Sequence, residues 1–106
     1  MYAVIFEVYP KTSGKQEYMQ IAARIRPLLE DNEGFISAER FQSLVDEDKI
    51  LSLSFWEDEE SIAKWRGILE HYEGQTAGKD KLFDKYRIRV AKVVRDYTDS
   101  DRELAP

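Results

Sequence analysis

Tyr2-Ala3-Val4-Ile5-Phe6-Glu7-Val8-Tyr9, stopped by Pro10 and Thr12-Ser13-Gly14, is the stretch whose reading decides the fold. Its β-branched and aromatic residues, bounded by turn formers, read as a strand. Val4, Phe6 and Val8 alternate with Ala3, Ile5 and Tyr9, so both faces of that strand are apolar. A strand of this kind needs cover on both sides.

Working outward, Tyr18, Ile21, Ala22, Ile25, Leu28 and Leu29 recur at helical spacing between Lys15 and about Asp31. Pro27 deprives the Ala23 carbonyl of its partner, which predicts a kink or an early stop near Arg26. Gly34 follows where a left-handed residue usually ends a helix. Phe35 to Leu44 and Lys49 to Trp56 read as two strands joined by the acidic turn Asp46-Glu47-Asp48, a hairpin. A second helix starts around Glu57-Asp58-Glu59-Glu60-Ser61, whose acids suit the positive end of a helix dipole, and presents Ile62, Trp65, Ile68, Leu69 and Tyr72 on one stripe. Gly67 inside it costs roughly 1 kcal/mol against Ala unless close packing uses it. Lys79 to Asp84 reads as a further turn of helix and Tyr86 to Val94 as the last strand. The order β-α-β-β-α-β is the ferredoxin-like α+β plan, an antiparallel sheet with both helices on one face. Its second face should be polar, yet the first strand is apolar on both faces, and the third places Leu51, Leu53 and Phe55 on one face with Ile50 and Trp56 at the ends of the other. A second copy of the chain is the simplest cover, and the expectation is a homodimer with closed two-fold pairing.

Composition agrees. A chain of 106 residues has room for one core, and 42% apolar with 35% charged residues describes a globular domain rather than a disordered chain or a membrane span. The net charge of −5 has the wrong sign for a nucleic-acid or anionic-membrane binder. Residues 96–106 carry four acids against one Arg, which marks a solvated tail; the expected division is a domain over 1–97 and an acidic tail over 98–106. No cysteine excludes disulfides, thiol nucleophiles and thiolate metal sites, and a single His excludes a multi-histidine centre. No basic n-region precedes the first strand and no apolar run of membrane length follows, so the expected location is the cytoplasm.

Few residues offer chemistry. His71 alone titrates near neutrality. It lies on the flank of the second helix stripe, where it either borders a pocket or simply caps an exposed helix end. Glu7 is the one charge in the first strand, on the face of Ala3 and Ile5. It is either a perturbed acid–base group or the partner of Arg87 or Arg89 on the last strand. Trp65 lies on the helix stripe, where a core role competes with a substrate platform. Trp56 ends a strand just before a helix, a common cleft rim, and Tyr18, Tyr72 and Tyr86 offer phenols. No P-loop, dinucleotide fingerprint or nucleophile elbow is present.

Gly34-Phe35, Ser54-Phe55-Trp56, the helix series Ser61-Ile62-x-x-Trp65-Arg66-x4-His71-x3-Gln75 and Phe83-x-x-Tyr86 together resemble the antibiotic biosynthesis monooxygenase superfamily over about residues 2–97. The resemblance implies a dimeric α+β barrel, two ferredoxin-like sheets face to face, with one pocket per subunit between helices and sheet. Quinone-forming members oxidise polycyclic phenols with O₂ and no cofactor. Trp56 matches their tryptophan, while Ser52 stands where they place Asn and Ile62 where they place Tyr. Heme-degrading members use Asn, Trp and His; Trp65 matches, but Glu7 and Gln75 stand at the other two positions. His71 matches another histidine of that helix.

The reading is a cofactor-independent monooxygenase acting on a small aromatic or enolisable substrate, with His71, Glu7 and Trp65 in catalytic roles and Trp56, Tyr18 and Tyr72 against the substrate. No metal and no cofactor are expected. The alternatives are a non-catalytic dimeric module that binds a small hydrophobic molecule, and, third, heme binding or degradation.

Overall fold

In the computed structural model, which describes residues 1–10, 14–75 and 83–101 (backbone alone for 70–75 and 83–84), β1 (Tyr2–Pro10) runs through the middle of a four-stranded sheet. It pairs antiparallel with β3 (Ile50–Trp56) on one side and β4 (Phe83–Lys92) on the other, and β2 (Phe35–Gln42) pairs antiparallel with β3 to give the order β2-β3-β1-β4. The helices α1 (Lys15–Glu30) and α2 (Glu59–Gln75) complete the expected β-α-β-β-α-β order. Among the described residues, no helix is long and apolar enough to cross a membrane.

Register sorts the side chains into two faces. Val8 packs on Tyr18 of α1, and Tyr2 and Val4 pack on the cluster of Leu29, Trp56 and Ile62, so the even positions of β1 face the helices. Ser52, Ser54 and Trp56 of β3 and Ile88 and Val90 of β4 lie opposite them and share that face. The odd positions, with Leu51, Leu53, Phe55, Arg87 and Arg89, form the open face. In β2 the register shifts between Phe35 and Ser37. Phe35 therefore meets Trp56 on the helix side, edge to face at 5.4 Å, and the extra residue carries Ala38 and Arg40 to that side as well.

Several element ends depart from the sequence reading. Helix α1 does not stop near Arg26 but continues through Pro27 to Glu30. A proline this close to the C-terminus costs one backbone bond, and the last turn is held otherwise. Arg26 donates to the Ala38 carbonyl at 3.0 Å and to Glu30 at 2.8 Å, and Leu29 is buried. Leu28, read as part of the buried stripe, faces solvent, as does Ile68 of α2. The hairpin loop is wider than the three-acid turn, because Gln42 caps it: its side-chain amide donates to the carbonyls of Asp46, Glu47 and Lys49. Asp58 starts α2, accepting from the Ser61 N–H at 2.8 Å and its hydroxyl at 2.7 Å. Phe83 and Asp84 belong to β4 rather than to a helical turn; the rest of that expected turn lies outside the described residues.

Two glycines should respond to Ala in opposite directions. Gly34 has φ +89°, and a Cβ there would sit 2.6 Å from the Ser61 Cβ, so Gly34→Ala is expected to destabilise by about 2 kcal/mol or more. A Cβ on Gly67 meets nothing within 4 Å, so close packing does not use this glycine, and Gly67→Ala is expected to stabilise by about 1 kcal/mol. Urea denaturation of both variants checks the pair of signs.

Candidate active site

The helix-side core is not one cluster but two. Val8, Tyr18 and Ile50, with Phe6 against them, fill one end; Leu29, Trp56 and Ile62, with Tyr2, Val4, Phe35, Ala38 and Trp65, fill the other. Between them the floor of the sheet carries the small side chains Ser52 and Ser54. Val8 and Trp56 at the ends of the central strands are 0% and 1% exposed, yet Val4, Phe6, Ser52 and Ser54 in the middle are half-buried on a face that helices cover. Water therefore reaches the sheet between the helices. The opening continues over β4, where Tyr86, Ile88 and Val90 are 60%, 52% and 41% exposed, and the Tyr86 ring meets Phe6 edge to face at 5.7 Å. A concave apolar floor with a few polar groups is the usual form of a small-molecule site.

The candidate residues distribute unevenly around it. Tyr18 is buried in one bordering cluster, and Trp65 is half-buried at the edge of the other. Trp56 is not a rim group: among the described residues it is the largest fully buried side chain, and its indole N–H donates to the Ser54 hydroxyl at 2.9 Å. Strand ends that meet α1, α2 and β2 at once become core, whatever their place in the sequence. His71 and Tyr72 lie in the last turns of α2, and their side chains are outside the described residues.

Glu7 does not join the others. As an odd position of β1 it lies on the open face, the opposite side of the sheet from Trp56 and Trp65. There it bridges Arg89 at 3.0 Å, the alternative partner the sequence offered, and Lys49 at 3.3 Å. The Lys49 hydrogen bond, with the two positive charges, holds its carboxyl below the usual range, and burial opposes this only in part. A carboxylate so held is a poor proton acceptor at neutral pH. The pocket expected around His71, Trp65, Trp56 and Glu7 therefore does not assemble as a set.

Sequence reasoning missed Arg40. It shares the helix side with Ser52 and Phe6, its guanidinium carbon stands 5.9 Å from the Tyr18 ring centroid, and its Nε is buried with no hydrogen-bond partner. Plain alternation from Phe35 would turn it outward; the β2 irregularity turns it in. Among the described residues there is no group of three or more His, Cys, Asp or Glu able to hold a metal ion.

Comparison with known proteins places these features. The model of the antibiotic biosynthesis monooxygenase family matches residues 1–76. A jasmonate monooxygenase from Pyricularia oryzae is 43% identical over 93 residues, 88% of this chain, and the chain spans 43% of that protein's length. Among solved structures, the heme-degrader MhuD from Mycobacterium tuberculosis, with two hemes in its active site, superposes with a TM-score of 0.74 at 14% identity, covering 92% of this chain and 100% of that one. SnoaB, a cofactor-independent oxygenase from Streptomyces nogalater, superposes with a TM-score of 0.71 at 11% identity, covering 90% and 94%. At such identities the two likenesses speak for the fold, and one fold carries both chemistries.

Proposed function

The chain belongs to the antibiotic biosynthesis monooxygenase family, and from that premise we propose that it is a cofactor-independent monooxygenase acting on a small aromatic or enolisable molecule between the helices and the sheet. The carrying observation is the half-buried floor of Ser52 and Ser54 between two apolar clusters, edged by Phe6 of one and Val4 of the other. Its apolar walls disfavour water and favour a flat hydrophobic body; Ser52, at the position where quinone-forming relatives place Asn, supplies a hydroxyl to the floor. The reaction begins with removal of a substrate proton, for which His71 is the assigned base, and the resulting anion reduces O₂ directly. Trp65 and Tyr18 border the substrate from the two clusters. The test is O₂ uptake by metal-free protein, with jasmonate as the first substrate because the 43%-identical relative bears that name. Uptake stoichiometric with product supports the reading. Binding without uptake selects the ligand-binding module instead, and a Soret band on adding hemin selects heme chemistry.

The same reading makes the protein a homodimer. Ile5, Leu51, Leu53 and Phe55 line the open face on the two central strands, an apolar strip on the side of the sheet away from the helix-packed core. Closed pairing of two such faces excludes water from both. Leu53→Lys is expected to place a charge in the middle of this contact. Light scattering should then report a mass falling from twice 12.5 kDa to 12.5 kDa.

A further inference from the structure

Among the described residues three cations are half-buried, Arg26, Arg40 and Lys49, and two of them are paired. Arg26 has Glu30, and Arg89 and Lys49 share Glu7. Arg40 is different. It projects to the helix side of the sheet, its Nε is buried and unpartnered, and no carboxylate among the described residues forms a salt bridge with it. In a chain with 21 acidic residues, a half-buried arginine whose Nε lacks an acceptor is a costly arrangement unless something else supplies the anion.

The register shows what that would be. Arg40 stands opposite Ser52, Ser52 opposite Phe6, and Phe6 opposite Ile88, one row across all four strands. At about 4.8 Å between strands the row is roughly 14 Å long. It is polar at the Arg40 and Ser52 end and apolar at the Phe6 and Ile88 end, where Ile88 is 52% exposed. We propose that Arg40 is the anchor for the carboxylate of an amphipathic acid whose apolar body lies across Ser52 and Phe6 toward Ile88. A single planar guanidinium matches a monocarboxylate through paired N–H donors, and one positive charge is balanced by one negative charge. This deepens the proposed function, on which it rests for the identity of the cleft, by giving the substrate its chemical class and its direction in the site.

The experiment measures binding under nitrogen by calorimetry, using acids and their uncharged analogues: jasmonate with methyl jasmonate, and 4-phenylbutyrate with 4-phenylbutanol. Wild-type protein is expected to prefer the acid in a pair by about 10- to 100-fold, the range of a charge-assisted hydrogen bond. Arg40→Gln and Arg40→Met should abolish the preference while leaving binding of the neutral member within about twofold, and Arg40→Lys should restore part of it. Arg40→Met should also melt at or above wild type, since it removes a buried Nε that has no acceptor. Equal affinity within both pairs, failure of both acids to bind, or acid preference surviving in Arg40→Met would overturn the assignment. So would an Arg40→Met protein that melts well below wild type and loses acid and neutral ligand alike, which would give Arg40 a folding role. Acid binding that depends on Arg40 in a protein that consumes no O₂ would overturn the oxygenase reading and leave the anchor standing.

Discussion

Trp56→Ala is expected to lower the free energy of unfolding by about 3–5 kcal/mol, the usual loss for a buried aromatic. Trp56 is 1% exposed and joins Leu29 of α1, Ile62 of α2 and Phe35 of β2 in one contact set, so the truncation opens a void that three elements border. For a domain of this size total stability is roughly 5–15 kcal/mol, so a loss of that order brings the variant near its threshold. The indole N–H adds a smaller, separable part. Ser54→Ala removes its acceptor and should cost about 1–3 kcal/mol by leaving a buried donor unsatisfied. Denaturant titration of both variants gives the ratio. Trp56→Phe, which keeps the ring packing, then decides between core and substrate contact. Ligand affinity unchanged in a folded Trp56→Phe protein is the expected result; affinity lost with stability retained would return Trp56 to the site.

The sequence pattern carried the element order and left the faces unequally legible. β1 was readable because its two apolar sets are broken only by Glu7 between Tyr2 and Tyr9, and its register runs without a shift to Val8 against β3 and to Tyr9 against β4. The apolar open face follows from those positions alone. Glu7 was legible as far as its face and one of its partners, but Lys49 lies just before β3 and no spacing rule links it to β1. β2 was opaque for a definite reason: one extra residue at its start reverses the inward set, exchanging Ser37, Glu39 and Phe41 for Ala38 and Arg40. A bulge leaves little trace in residue types, so the inward position of Arg40 was hidden. Trp56 was misassigned because position at a strand end was taken for position at a rim. Burial at that point depends on α1 arriving from 27 residues upstream with Leu29, which local sequence does not disclose.

His71→Ala is expected to reduce turnover by about 10²- to 10⁴-fold, the range for loss of a general base, with little change in melting temperature. The case rests on elimination across the sheet. Glu7, the other acid–base candidate, is on the opposite face and is held ionised by Lys49 and Arg89, so it neither reaches the cleft nor accepts a proton readily. His71 is the only His in the chain and lies in α2, the helix that also carries Trp65 to the cluster bordering the cleft. A histidine base works in its neutral form, so wild-type activity should rise with pH as the His71 imidazole gives up its proton. Glu7→Gln should leave that limb in place. His71→Ala should remove it, and the residual rate should follow ionisation of the substrate itself. Full activity with an unchanged acid limb in a folded His71→Ala protein would remove the histidine from the mechanism. The proton would then leave on the substrate's own acidity, and the protein's part would reduce to binding: an apolar floor for the body, and, at Arg40, a fixed positive charge for its carboxylate.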